Sequence, residues 1–491
     1  MVDSRARSDF DVIVIGAGIG GLSVAALLAR RGFKVLVAEA HNLCGGNCTS
    51  WRRRLPGHRQ PFTFDSGVQD ISGLGANGPL TNLFRQLGIS IPWERVHHLY
   101  WHDGIRVRGG LTQSEFVDSL CHAFPGEADG IRHFMAEMAA VYRDLYAECE
   151  KTGGVPLPPP PHERRAWCER HPAAAQWLRQ RFTDMLQTYL SDARLQLLLQ
   201  TLSEYIAATP DDLTVHDMAP LYGYYFEGGH YPCGGSQSLA DALAGAVRDH
   251  KGKIVRRTRI EKILTENGRV AGVRTARGER YTAPIVVANG DVVSMLTELV
   301  DPPQLATAYA KRVAALRRGP SAILVSLGLS TVMDLPPRIF IRQGDLAFGV
   351  GNPSVLDARL APPGHSAVTL LLLLSEAESA TWGERTDPSY LSRKTAAADR
   401  LIAAVEQSVF PALRSHIVYQ EVATPATFKH YTGARNGNIY GAARAIWRPA
   451  MNSPVSGLFL VGAGTDTGAG IEAVVISATR AADTITATLQ R

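Results

Sequence analysis

"DVIVIGAGIGGLSVAALLARRGFKVLVAEA", residues 11–40, decides the fold class. The apolar run Val12 to Ile15 reads as a short buried parallel strand that stops at Gly16. Gly16, Gly18 and Gly21 then supply G-x-G-x-x-G, which allows a tight turn, a close approach of backbone to a pyrophosphate, and contact between helix and strand. Gly20 lies in the same turn, and all four glycines are candidate cofactor contacts. The phosphate charge would sit at the positive end of a helix running from Leu22 to Arg31 and ended by Gly32. A second strand, Lys34 to Ala38, delivers Glu39 at the spacing of a carboxylate that binds a ribose hydroxyl. An acid there disfavours a 2′-phosphate. A lone glycine triplet is a weak signal; strand, turn, helix, strand and acid in order are a specific one.

The stretch "CGGNC" at 44–48 raises a second question, because flavin disulfide reductases place a redox pair of cysteines soon after such a turn. Cys48 stands where a first member would be, but Arg53 stands where its partner is needed, and Cys44 and Cys48 flank the glycines Gly45 and Gly46. The six cysteines (44, 48, 121, 149, 168, 233) show no framework spacing and no metal pattern. No metal is expected, and Cys44 and Cys48 are read as small residues near a cofactor to which Gly45 and Gly46 also belong. Such cysteine usage suits a reducing cytoplasm. The polar residues 1–9 give no signal peptide ahead of the first strand, and the longest apolar run, Ala367 to Leu374, fits a buried strand and is too short to span a membrane. The expected location is therefore cytoplasmic, or peripheral on the inner face of the membrane. A net charge of +5 over 491 residues gives no case for a nucleic-acid partner. Arg52, Arg53, Arg54 and Arg164, Arg165 are read as solvated faces.

The chain divides by period. Residues 1–90 hold the strand–helix–strand unit, and 91–225 show helical patterns such as "IRHFMAEMAAVYRDLYAECE", interrupted by "VPLPPPPHERR", a connector unsuited to a helix. Residues 226–290 resume the first domain, with strands at Lys253 to Val255, Glu261 to Thr265, Val270 to Thr275 and Ile285 to Ala288 and a hairpin turn at Asn267 and Gly268. Residues 291–453 mix strands and helices, and 454–491 repeat the opening arrangement of strand Leu458 to Val461, glycine-rich turn and helix. No second strand follows that helix, which excludes a second dinucleotide unit. A helix starting near Gly470 and Ile471 would aim free N–H groups at an electron-rich ligand edge, with Gly462 and Asp466 in the turn before it.

With those blocks in place the chain resembles the flavoprotein family of carotenoid desaturases, carotenoid isomerases and retinol saturases. The resemblance rests on the glycines and Glu39, on "FDSG" at Phe64 to Gly67, and on "YPCGGSQSLADAL" from Tyr231. It rests further on "TPATFKHYTGARNGNIYG" from Thr424 to Gly441 and on "LFLVGAGTDTGAGIEAVVISA" from Leu458, motifs that span nearly the whole chain in order. It implies an α/β fold on the plan of amine oxidases and GDP dissociation inhibitors: a Rossmann-like FAD-binding domain built from discontinuous segments, a mixed α+β substrate domain, and a helical lid region. It also implies FAD, an apolar polyene or isoprenoid substrate, and a redox change at carbon–carbon bonds, with the electron acceptor left open and peripheral membrane contact expected.

Two departures bear on function. Asp466 and Thr467 stand where the desaturases usually have His-Pro, and Glu472 stands where they have Pro. Both put linear C40 desaturation in question and allow a substrate that is shorter or more polar. Glu472 is the first candidate for a proton acceptor and Asp466 the second; a carboxylate at a helix start also serves as a cap. Tyr222, Tyr224, Tyr225, Phe226 and Tyr231 are candidate lining of a flat apolar channel, with ordinary core packing as the other reading. Two further functions stay open on the sequence: an FAD-dependent amine oxidase, and a flavin-free binding protein on the plan of the GDP dissociation inhibitors.

Overall fold

The computed structural model describes residues 8–149, 161–206, 212–301, 304–443 and 447–491. Strands Val12–Ile15 and Val35–Ala38 pair in parallel at the centre of a five-stranded sheet whose order is Leu458–Val461, Ile285–Asn289, Val12–Ile15, Val35–Ala38, Lys253–Val255. Both central strands are wholly buried, which is why they read as unbroken apolar runs. Three stretches far apart in sequence thus share one sheet, and Leu458–Val461 is its edge strand, not the start of another unit.

The first helix runs from Ile19 to Arg30, starting three residues before the expected Leu22. Gly20 and Gly21 lie inside its first turn because they are packing positions: a Cβ on Gly21 would stand 2.2 Å from the Gly16 carbonyl oxygen. The helix is buried on every side, against Gln237–Asp249 and the closing helix Ile471–Leu489. Asn267 (φ 51°) and Gly268 (φ 74°) make the expected hairpin turn between antiparallel strands Ile260–Glu266 and Arg269–Thr275.

A second, seven-stranded sheet has the order Ile417–Ala423, Ser321–Leu329, Ser366–Leu374, Leu346–Gly351, Arg338–Gln343, His98–His102, Ile105–Gly109. All its pairs are antiparallel except Arg338–Gln343 with His98–His102. The helix Tyr390–Ser408 covers one face through Leu401, Ile402 and Val405, and the other face supplies Leu324, Ser326, Arg338 and Leu371 to a cavity. Beyond the edge of this sheet, helices Gln113–Ala123, Ala128–Tyr146, Phe182–Tyr189 and Val215–Gly223 pack around Phe134, Met138 and Tyr222. Residues 150–160, most of the proline-rich connector, lie outside the described residues. Its C-terminal end departs from expectation: Pro161–Glu163 is a 3-10 turn and Arg164–Arg170 a helix. Proline at a first helical position lacks only an N–H that has no acceptor there anyway.

Candidate active site

The glycine turn is organised by a residue the sequence reading missed, Asn289. It follows the apolar strand run Ile285 to Ala288 as Gly16 follows Val12 to Ile15, and that parallel was the available signal. Asn289 Nδ2 donates to the Gly16 carbonyl oxygen (3.3 Å). A Cβ on Gly18 would stand 2.9 Å from Nδ2, and Cβ atoms on Gly20 and Gly462 would stand 2.9 and 2.8 Å from Oδ1. One amide thus holds two glycine turns from opposite ends of the chain against each other. The Gly45 N–H donates to Ala17 O (2.7 Å), which brings the Gly45–Gly46 segment alongside the first turn. Glu39 is fixed at the end of the second strand by the Ala17 N–H on Oε2 and the His41 N–H on Oε1, each at 2.7 Å.

These groups open on one cavity of about 1240 Å³. Gly16, Gly18, Gly20, Glu39, Gly45, Gly46, Gly462, Asp466, Gly470 and Ile471 all line it; Gly21 does not, because it faces the strand behind. The closing helix starts at Ile471, and the first bond within it is from the Val474 N–H to Gly470 O (3.0 Å). The N–H groups of 471–473 have no acceptor in the helix and stand on the cavity wall. Gly470 takes φ 103°, and a Cβ there would meet no atom within 4 Å, so the helix end faces open space. The set fits FAD: Gly16, Gly18 and Gly20 would hold the pyrophosphate, Glu39 the ribose, and the N–H groups of 471–473 the electron-rich ring edge.

Glu472 sits in the first turn of that helix, in the cavity wall. Ser72 Oγ donates to its Oε2 (2.7 Å) and the Tyr146 hydroxyl donates to its Oε1. Burial pushes its acid above the ordinary carboxylate range, and the two hydroxyl donors work against that shift. Tyr146 stacks on Tyr142 with ring centres 4.4 Å apart, and burial beside Glu472 pushes its phenol up. The carboxylate is therefore held by two stretches of chain far from its own helix. Asp466, by contrast, is exposed, and its backbone N–H donates to Pro449 O (3.1 Å).

Residues 19–486 match the family of flavin containing amine oxidoreductases. The chain belongs to that family. Like other flavin containing amine oxidoreductases it is an FAD-dependent oxidoreductase, and the reading as a flavin-free binding protein falls away. Among its relatives, prolycopene isomerase 1 of an Oncidium hybrid cultivar is 27% identical over 98% of this chain and 84% of its own length. The lycopene-forming phytoene desaturase of Pseudescherichia vulneris is 26% identical over 97% of this chain and 99% of its own. A redesigned putrescine oxidase, only 16% identical, shares the fold over 98% of this chain and 99% of that one, with a TM-score of 0.65.

The channel expectation needs correction within this family fold. Of the five aromatics only Tyr224 lines the cavity, beside Tyr205, with ring centres 5.1 Å apart. The Tyr222 hydroxyl donates to Leu199 O (2.9 Å), and Tyr225 stacks on Phe116 at 3.9 Å while its hydroxyl meets that of Tyr100. Phe226 packs on Tyr142, and Tyr231 donates to Asp65 Oδ2 (2.6 Å). The reason is local: Tyr224–Gly228 is a π-helical turn following helix Val215–Gly223, so consecutive rings fan around the axis instead of sharing a face. The wall is built instead from Leu324 and Leu371, which belong to no motif, and from Phe428, Ile439 and Tyr440 of the Thr424 to Gly441 stretch. Cys48 is buried with its Sγ donating to Ser236 O (3.4 Å), burial and Asp65 push its thiol up, and none of the six cysteines is in a disulfide. Among the described residues no helix is long and apolar enough to cross a membrane and no cluster suits a metal ion.

Proposed function

We propose that the protein changes the redox state or geometry of carbon–carbon double bonds in an apolar polyene or isoprenoid, by desaturation, isomerisation or saturation. The observation that carries this reading is the continuity of the cavity. It joins the glycine turn and Glu39 to a wall of Leu324, Leu371, Phe428 and Ile439, with Glu472 between them at the start of the closing helix. Relatives of this chain that match over nearly all of its length are named for prolycopene and lycopene chemistry. FAD, when bound, supplies hydride transfer to or from the substrate carbon. The chain supplies the rest: a dry apolar wall that orients the substrate, free N–H groups at the helix end, and Glu472 as the group that takes a proton from carbon or returns it. Tyr146 and Ser72 hold the Glu472 carboxylate in place for that transfer.

A membrane-dissolved substrate calls for peripheral contact with lipid. The cavity lining supports this, since it includes the exposed Tyr431 and the cations Arg385 and Lys394, and Leu391 is exposed next to Tyr390 of the same lining. The test is anaerobic incubation of the purified protein with a panel of polyenes and of amines, followed by flavin absorbance. Bleaching by a polyene is the expected result. Bleaching by an amine and by no polyene would replace the reading with amine oxidation.

A further inference from the structure

The apolar wall is interrupted by one polar cluster that the proposed chemistry does not use. Arg338, buried on the seven-stranded sheet, lies 4.7 Å from the ring centre of Phe340 and lines the cavity. Its Nη1 donates to Gln69 Oε1 (2.9 Å) and its Nε to the Tyr205 hydroxyl (3.3 Å), which in turn donates to Asp70 Oδ2 (3.3 Å). His98 Nε2 stands 2.6 Å from that same oxygen. Arg338 Nη2 has no hydrogen-bond partner among the described residues. Neither has the hydroxyl of Tyr440, which also lines the cavity.

A hydrocarbon seated against this wall would strip water from these donors and offer nothing in return, which is costly for buried polar groups. The Arg338 guanidinium is already joined through Tyr205 to the acid Asp70, so the cluster has no call for a further anion. We propose that Arg338 and Tyr440 hold a neutral oxygen, a carbonyl or a hydroxyl, on the substrate polyene. This rests on the polyene reading above and narrows it to oxygenated isoprenoids.

The test uses the purified FAD-loaded protein and four polyenes of equal length ending in methyl, primary alcohol, aldehyde or carboxylate. Dissociation constants are read from the perturbation of flavin absorbance under anaerobic conditions. Alcohol and aldehyde should bind at least about tenfold tighter than the hydrocarbon, as expected for hydrogen bonds that include a charged donor. Arg338→Met should cut that ratio to below about twofold. Tyr440→Phe should reduce it about threefold, and it carries the test if Arg338→Met fails to retain FAD. Equal binding of all four, tightest binding of the carboxylate, or a ratio unchanged in the variants overturns the assignment while leaving polyene chemistry intact. Absence of any response to all four overturns the polyene reading and this inference with it.

Discussion

Replacing Glu472 by glutamine keeps the shape of the side chain and removes its charge, so it separates what that charge does from what the side chain fills. Glu472→Gln can keep one accepting oxygen for Ser72 or Tyr146, and the other hydroxyl can turn to accept from the new amide. Burial raises the Glu472 acid above its ordinary value of 4.5, while the helix end favours the ion by about 0.3–1 kcal/mol. A raised acid stays protonated in the folded chain at pH values where the unfolded chain has ionised. Its share of stability is complete below about pH 4.5 and is lost as pH rises through the folded value. The Tm of Glu472→Gln minus that of the unmodified protein should therefore grow from acid to neutral pH. The charge also stands among the free N–H groups of the helix start, where it opposes a second negative charge. Each 1.4 kcal/mol of repulsion removed should raise the two-electron potential of the flavin by about 30 mV. If Glu472 is the proton acceptor, substrate-driven flavin reduction in stopped flow should slow by at least about tenfold, or about 1.4 kcal/mol of barrier. The acid limb of the pH–rate profile, set above the ordinary carboxylate range, should vanish with it. A shifted potential with an unchanged rate assigns Glu472 to tuning alone. No change in potential, rate or the pH dependence of Tm refutes the reasoning, because a carboxylate in that wall cannot be silent in all three.

Gly18→Val should reduce bound FAD per chain to below about a tenth, measured by absorbance after gel filtration. Backbone strain is not the cause, since Gly18 has φ −69°; the Cβ alone stands 2.9 Å from Asn289 Nδ2 and on the wall where the pyrophosphate belongs. Full FAD in this variant would count against the assignment of the turn. Cys48→Ser should keep turnover within about twofold, because the buried thiol is pushed up and has no disulfide partner; loss of activity with FAD retained would restore a thiol role. The protein should float with anionic liposomes in a density gradient, and Leu391→Glu should weaken this, since Leu391 is 70% exposed next to Tyr390 on the cavity wall. Complete retention in the soluble fraction, with turnover of a water-soluble compound, argues against lipid contact.

The order of local signals from Val12 to Glu39 determined the sheet core, because a strand buried on both faces must be an unbroken apolar run and a tight strand–helix turn must be glycine. Both requirements act within a few residues. The same holds for the hairpin at Asn267 and Gly268, for the buried strand ending at Leu374, and for a helix opening beside Gly470. The first turn of the opening helix was not legible, since glycine reads equally as a helix breaker and as a packing contact; only the position of the Gly16 carbonyl distinguishes them. Nor was the cavity wall legible. Whether an aromatic residue faces a ligand or the core depends on the angle at which its element leaves the last helical turn, and the π-helical turn at Tyr224–Gly228 leaves Tyr224 on the cavity while turning Tyr225 and Phe226 away from it. Asn289 holds together glycines more than 170 residues away on either side, and Glu472 is held by Ser72 and Tyr146 from stretches 400 and 326 residues distant. Such contacts leave no periodic trace in the chain, because side chains that meet across elements answer to no spacing rule. Local geometry wrote the nucleotide turn into the sequence, whereas the partners of Arg338, Asn289 and Glu472 exist only once the sheets and helices have packed.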